Sequence, residues 1–246
     1  MFPPPFCPAS QADERLAREG CAVLAPEATL AYLGQPLAAL QALLPFWNDL
    51  PPDPHLKDGG RYRRRRHSCW MVEGESCQLQ PHRAHWQSLD YNALHGGFER
   101  WFEPIAPAMA TLPAWEAILR RLARSASHLR GTQPWAVEAH PFRIDTTDGI
   151  GRPTPEGAHR DGVDLVAVFL LARVGIKGGE TRVFDADGPR GQRFTLTEPW
   201  SLLLLDDPRV IHEATPIQPL DAAAGGHRDT LVITLRSGGF QGPQPG

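Results

Sequence analysis

The spacing of apolar residues changes near residue 135. Before it, the spacing is helical. Leu37, Leu40, Leu43 and Leu44 share one face over Leu37–Trp47, and Trp115, Ile118, Leu119 and Leu122 do so over Trp115–Leu129. Gln11–Gly20 is polar with helical spacing and stops at Gly20. Pro-rich joints such as Pro51-Pro52-Asp53-Pro54 separate these pieces. After residue 135 the pattern predicts short strands at Trp135–Asp145, Val163–Ala172, Glu180–Asp185, Gln192–Thr197, Trp200–Asp206, Val210–Thr215 and Thr230–Arg236. Gly178-Gly179 and Asp187-Gly188 mark turns between them. Such a succession predicts a sandwich or barrel. The expected architecture is mainly β with flanking helices (α+β). It is read as one domain over 1–246, a mainly helical region (1–134) packed on a β core (135–240).

Composition narrows the class. Of 246 residues, 41% are hydrophobic and 22% charged, so a packed core is expected and disorder is not. A net charge of −3 argues against a general polyanion binder. The four cysteines form no CxxC pair, which argues against a zinc knuckle or a thioredoxin-type redox pair. The start, Met-Phe-Pro-Pro-Pro, lacks the basic and apolar regions of a secretory signal. The longest apolar run, Val163–Ala172, is too short for a bilayer and is interrupted by Asp164. The default expectation is a cytoplasmic protein without a membrane partner; a homodimer is left open.

The chemistry concentrates in Pro155-Glu156-Gly157-Ala158-His159-Arg160-Asp161-Gly162. At a strand end, residues two apart point to one side, so His159 and Asp161 can converge on one metal. Asp164, the nearest competing carboxylate, has the opposite parity. His212, in a later predicted strand, supplies a third ligand. Two imidazoles and one carboxylate form a facial triad that leaves three octahedral positions open. Further on, Arg228 and Thr230 face one way on a strand, offering a guanidinium fork and a hydroxyl to one carboxylate.

His-x-Asp, a distal His, then Arg-x-Thr resembles the pattern of the 2-oxoglutarate/Fe(II) dioxygenases. Glu-Gly-x-His-x-Asp-Gly, Gly178-Gly179-Glu180-Thr181 and Leu204-Leu205-Asp206-Asp207 resemble the bacterial branch containing free L-isoleucine 4-hydroxylase; the biofilm stress and motility proteins are similar as well. The likeness spans roughly residues 85–236, and Asn92, Gly96-Gly97 and Arg100 extend it less specifically. It implies a double-stranded β-helix (a jelly-roll, cupin-like core), with Fe(II), 2-oxoglutarate and O2 as cofactors. His159, Asp161 and His212 would hold iron, and Arg228 with Thr230 would hold 2-oxoglutarate. The implied reaction is hydroxylation of a small substrate coupled to oxidative decarboxylation of 2-oxoglutarate.

Within that branch the implied substrate is a free L-amino acid, which needs a cation for its carboxylate and an acid for its amine. Arg143, or an arginine from 61–66, is a candidate for the first; Glu156 or Asp148 for the second. An ion pair of Arg143 with Asp145 or Asp148 is an equal reading. The loop 145–158 is expected to act as a lid. Arg61-Tyr62-Arg63-Arg64-Arg65-Arg66 has three readings: a solvated strand or loop, alternate arginines such as Arg63 and Arg65 facing an acidic or amino-acid substrate, or a nucleic-acid patch. Overall acidity and the lack of interleaved aromatics count against the last, so nucleic acid is not an expected partner. His82-x-x-His85 lacks a partner pair nearby and is read as structural. The competing function is a non-catalytic stress-response protein that binds metal and a 2-oxo acid.

Overall fold

Strands account for most of the chain after residue 135 and for part of what precedes it. The computed structural model describes residues 2–92 and 94–243. Its strands are β1 (Cys21–Leu24), β2 (Arg63–Arg65), β3 (Ser68–Glu73), β4 (Ser76–Leu79), β5 (Trp135–Asp145), β6 (Leu165–Val174), β7 (Ile176–Gly178), β8 (Thr181–Asp185), β9 (Gly191–Phe194), β10 (Leu202–Asp206), β11 (Val210–Ala214), β12 (Ile217–Pro219) and β13 (His227–Arg236). The α-helices are α1 (Ala12–Glu19), α2 (Pro26–Leu33), α3 (Leu37–Gln41), α4 (Pro107–Ala110) and α5 (Pro113–Arg130). Pro113 begins α5, where its missing N–H would have no helical partner anyway.

One large sheet runs β1-β10-β6-β13-β5-β3-β4, with β2 also on β5. Two smaller sheets, β11-β8-β9 and β12-β7, complete the structure. The axis is the β5–β13 pair, in register from Ala136↔Arg236 to Asp145↔His227. Pro141 sits within β5 and has no N–H to offer. It lies opposite the gap between β2, whose pairing ends at Phe142, and β3, whose pairing begins at Ala139.

Strand alternation sorts the side chains. Val137, Ala139, Ala167, Phe169, Leu231, Ile233 and Leu235 face outward and pack on helices, chiefly Trp115, Ile118, Leu119 and Leu122 of α5. Those four are wholly buried, which stabilises by about 1.5–3 kcal/mol per aliphatic side chain. On the inner face, Val166, Leu170, Leu203 and Leu205 meet Val183, Phe194 and Val210. The rest of that inner face is polar. The large antiparallel sheet packed on the smaller ones, with helices outside, makes the double-stranded β-helix that the family likeness implies. No helix among the described residues is long and apolar enough to cross a membrane.

Residues 1–134 also contain β1 to β4; a strand was one reading of the arginine run where β2 lies, and the other three were not foreseen. All four residues of β1 are buried, and a short wholly apolar run carries no period. The helix α2 was missed as well.

Candidate active site

The loop after β5 returns across the mouth of the large sheet and is tied down on arrival. Gly151 bridges Ile217, and Thr154 Oγ1 donates to the Ala214 carbonyl (3.0 Å) while accepting from its N–H (3.1 Å). His159 then exchanges backbone hydrogen bonds with His212 of β11. Pro153, Thr154 and Glu156 therefore border a cavity of about 140 Å³ between the sheets. The segment read as a lid covers this cavity and is fastened to β11 and β12.

His159, Asp161 and His212 come together, with one ligand-type atom from each within 4.8 Å of the others. His159 Nε2 is 3.8 Å from Asp161 Oδ1, and His212 Nε2 is 3.7 Å from Asp161 Oδ2. His159 Nδ1 lies 2.9 Å from the Gly157 carbonyl, which can only accept; Nδ1 thus carries a proton, and Nε2 is the atom turned toward Asp161. The charge of Asp161, with that of Glu156, outweighs burial and raises the ring above the usual imidazole value until a metal takes that position. Burial, with His159 alongside, keeps His212 neutral well below the usual imidazole range. Both rings can offer a lone pair beside a carboxylate, the donor set that suits a ferrous ion.

Asp161 is held on three sides. Asp207, at the end of β10, accepts from the N–H groups of Asp161 (2.9 Å), Gly162 (2.8 Å) and Val163 (3.1 Å). Gln241 Nε2 donates to the carbonyls of Asp161 and Gly162. Gln87 Nε2 donates to Asp161 Oδ1 at 3.0 Å. The turn requires Gly162: its φ is +75°, and a Cβ there would lie 2.4 Å from the Tyr91 ring. Asp164, the rejected competitor, bonds Ser237.

Arg228 and Thr230 project from β13 into the same cavity and are buried. Burial, and then Arg173 nearby, lower Arg228 to about 10; no carboxylate among the described residues pairs with it. An unpaired buried guanidinium facing a cavity is matched to an anion that enters from outside.

The structure does not bring Arg143 to the cavity. It has the opposite parity on β5 and makes a two-pronged ion pair with Asp229, at 2.8 and 2.7 Å. Neither expected partner, Asp145 nor Asp148, receives it. Glu156 does line the cavity: its Oε1 is 3.6 Å from His159 Nε2 and its Oε2 is buried without a partner. Asp148 instead binds exposed Arg61.

The arginine run alternates. Arg63 and Arg65 point into the cavity, buried. The outward arginines have carboxylate neighbours: Arg61 has Asp148, Arg64 has Asp145, and Arg66 has Glu103 and Asp49.

Sequence reading missed a second polar group, His67, His85, Glu138 and His140, the last three of which line the cavity. The signal was present in β5, where Glu138, His140 and Phe142 share one face. His82 stays out of the group and bonds the Phe102 carbonyl.

Residues 44–234 match the 2OG-Fe dioxygenase family model. A bsmA homolog from Methylobium petroleophilum, known from its crystal structure, is 56% identical, with a TM-score of 0.92 over 97% of this chain and 96% of that one. IDO from Bacillus thuringiensis is 19% identical, with a TM-score of 0.75 over 95% of this chain and 100% of that one. The Fe(II)/α-ketoglutarate-dependent dioxygenase TqaL is 19% identical, with a TM-score of 0.72 over 93% and 86%. At that identity the last two show the fold. A search of curated proteins gives no match.

Proposed function

The chain belongs to the 2OG-Fe dioxygenase family, whose members use Fe(II), 2-oxoglutarate and O2, and from that premise we propose that it hydroxylates a free L-amino acid. The observation that carries the reading is one cavity holding two complementary sets of groups. One is the cluster His159, Asp161 and His212; the other is unpaired Arg228 with Thr230.

In this reading His159, Asp161 and His212 hold the iron. Arg228 and Thr230 bind the distal carboxylate of 2-oxoglutarate. Once bound, iron, 2-oxoglutarate and O2 supply the oxidant for an unactivated C–H bond. The chain's own contribution is placement. The Gly157 carbonyl fixes the His159 tautomer, Asp207 shapes the turn carrying Asp161, and the fastened loop 145–158 keeps bulk water from the reacting carbon. An amino-acid substrate fits a wall bearing Arg63, Arg65 and Glu156, whose Oε2 is buried without a partner. The isoleucine hydroxylase and biofilm-protein likeness in the motifs points the same way.

The test is anaerobic titration of the full chain with Fe(II) and 2-oxoglutarate. A visible metal-to-ligand charge-transfer band is expected, and it should vanish in His159→Ala and Asp161→Ala. Intact protein that forms no such band would remove the iron assignment. Succinate release across a library of free L-amino acids then tests the substrate class.

A further inference from the structure

The second cluster has the composition of a metal site, and its hydrogen bonds argue against one. Glu138 Oε2 lies 2.8 Å from His67 Nε2 and 2.6 Å from His85 Nδ1, and His140 Nε2 is 3.9 Å away. On the other side of His140, Nδ1 is 2.6 Å from Arg65 Nη2. A guanidinium only donates, so His140 Nδ1 accepts and the ring proton sits on Nε2, the atom a metal would need. A divalent ion here would also sit against Arg65 and Arg100, two buried cations. The cluster is better understood as the support for those arginines, with Glu138 offsetting their charge.

The arginines are held firmly and retain unused donors. The Arg65 guanidinium lies between the rings of Phe102 (3.9 Å) and Phe142 (4.4 Å). Arg63 is fixed by Asp53 at 2.7 Å. Arg100 donates from Nη2 to Gln87 Oε1 at 2.7 Å. Yet Arg63 Nη2, Arg65 Nε and Arg100 Nε are buried without partners. All three side chains line the cavity, at 6%, 3% and 2% exposure. Three buried guanidinium groups held in place around one cavity form a prepared oxyanion site.

Charge identifies the kind of molecule. Asp53 neutralises Arg63. With cofactors bound, Fe(II) and Arg228 balance Asp161 and the 2-oxoglutarate dianion. Arg65 and Arg100 remain, matched by Glu138 and Glu156. The space therefore suits a ligand of zero net charge with an anionic end and a cationic end. We propose that Arg63, Arg65 and Arg100 form a carboxylate subsite for a zwitterionic substrate, that Glu156 takes its ammonium group, and that Gln87 passes carboxylate binding to Asp161. This rests on the iron and 2-oxoglutarate reading above.

Gln87 is a positioning residue whose amide orientation is fixed by chemistry. Its Oε1 accepts from Arg100 and from Asn92 Nδ2 (3.1 Å), so its Nε2 must be the group donating to Asp161 Oδ1. A carboxylate on Arg100 shares that cation's charge and weakens its bond to Gln87. The bond from Gln87 to Asp161 changes in turn, two hydrogen bonds away from the substrate.

The experiment uses the full chain with Fe(II) and 2-oxoglutarate under anaerobic conditions, with free L-amino acids as probes. The tightest-binding probe is compared with its carboxamide and with the amine lacking the carboxyl group. The free acid is expected to shift the charge-transfer band, and both derivatives to bind at least about 30-fold more weakly. Arg65→Gln should form the unshifted band and lose the response to the amino acid, whereas Arg100→Gln, which breaks the link to Gln87, should displace the band even before the amino acid is added. In Gln87→Leu, calorimetry should still register the amino acid while the band no longer moves. Equal binding of acid and carboxamide, or no binding by any amino acid when the band forms, overturns the proposal. The acid–carboxamide comparison is made in the unaltered protein, so misfolded variants cannot decide it. If the unaltered protein forms no band, the iron reading fails instead.

Discussion

His159 and His212 exchange both backbone hydrogen bonds, N–H to carbonyl at 3.0 and 2.9 Å, so the two proposed iron ligands brace each other's main chain. That bridge needs neither imidazole. His159→Ala and His212→Ala should therefore abolish iron binding while changing the unfolding free energy of the metal-free chain by less than about 2 kcal/mol. Urea unfolding beside metal titration checks this. Global unfolding in either variant would show that the rings themselves hold the loop.

Arg228→Gln should cost about 2–3 kcal/mol of 2-oxoglutarate affinity, because a buried charge-assisted fork is replaced by a neutral amide. KM for 2-oxoglutarate should rise about 30- to 100-fold while KM for the amino acid stays near its original value. Arg228→Lys should recover only part of the loss, since an ammonium cannot reproduce the fork. An unchanged KM for 2-oxoglutarate would place its anchor elsewhere.

Asp207→Ala leaves the N–H groups of Asp161, Gly162 and Val163 without their acceptor. The expected result is weaker metal binding by at least about tenfold, and faster amide exchange confined to that turn. Hydrogen exchange read residue by residue separates this from general loosening, which would spread into β10 and β11.

Stability should fall as the solution is acidified. Burial lowers His85 from 6.5 to about 3, and His67 and His140 are lowered too, first by burial. Each folded value lies below the unfolded one, so the unfolded chain takes up protons first. The contribution is complete above about pH 6.5 and is lost as pH falls toward the folded values. The slope is up to about 1.4 kcal/mol per pH unit for each ring. Urea unfolding of the metal-free chain between neutral pH and about pH 5 should show the decline, and His85→Gln should make it shallower. A flat profile would mean these rings are not buried as neutral groups.

How far the sequence could be read varied with the kind of signal. Spacing, strand parity and the family likeness together pointed to His159, Asp161 and His212, which the fold brings close to one another, although His159 and Asp161 stand on a loop rather than within a strand. Short strand-type runs bounded by Gly, Pro or Asp marked β5, β6, β8, β9, β10, β11 and β13 within a few residues. Parity also held the answer for Arg143, whose odd number on β5 sets it opposite His140 and Phe142; proximity to the metal motif drew attention away from that. The group His67, His85, Glu138 and His140 was legible only in part. Glu138 and His140 are two apart, but His67 and His85 reach them only because β3 pairs with β5 and the segment 80–100 folds back. Pairing between distant segments leaves no local period. Gln87 and Asp207 were hidden for the same reason, since each acts on a turn far away in sequence.

The alternation in Arg63-Arg64-Arg65-Arg66 has a consequence for how such a protein can diverge. Inward positions of β2 and β5 shape what enters the cavity, while the residues proposed for iron and 2-oxoglutarate stand on the 154–161 loop, β11 and β13. Substitutions at Arg65 or Phe142 can change molecular selectivity without disturbing the oxidising centre. Descendants of this scaffold are thus free to exchange one substrate for another by small steps, each leaving a working catalyst behind it.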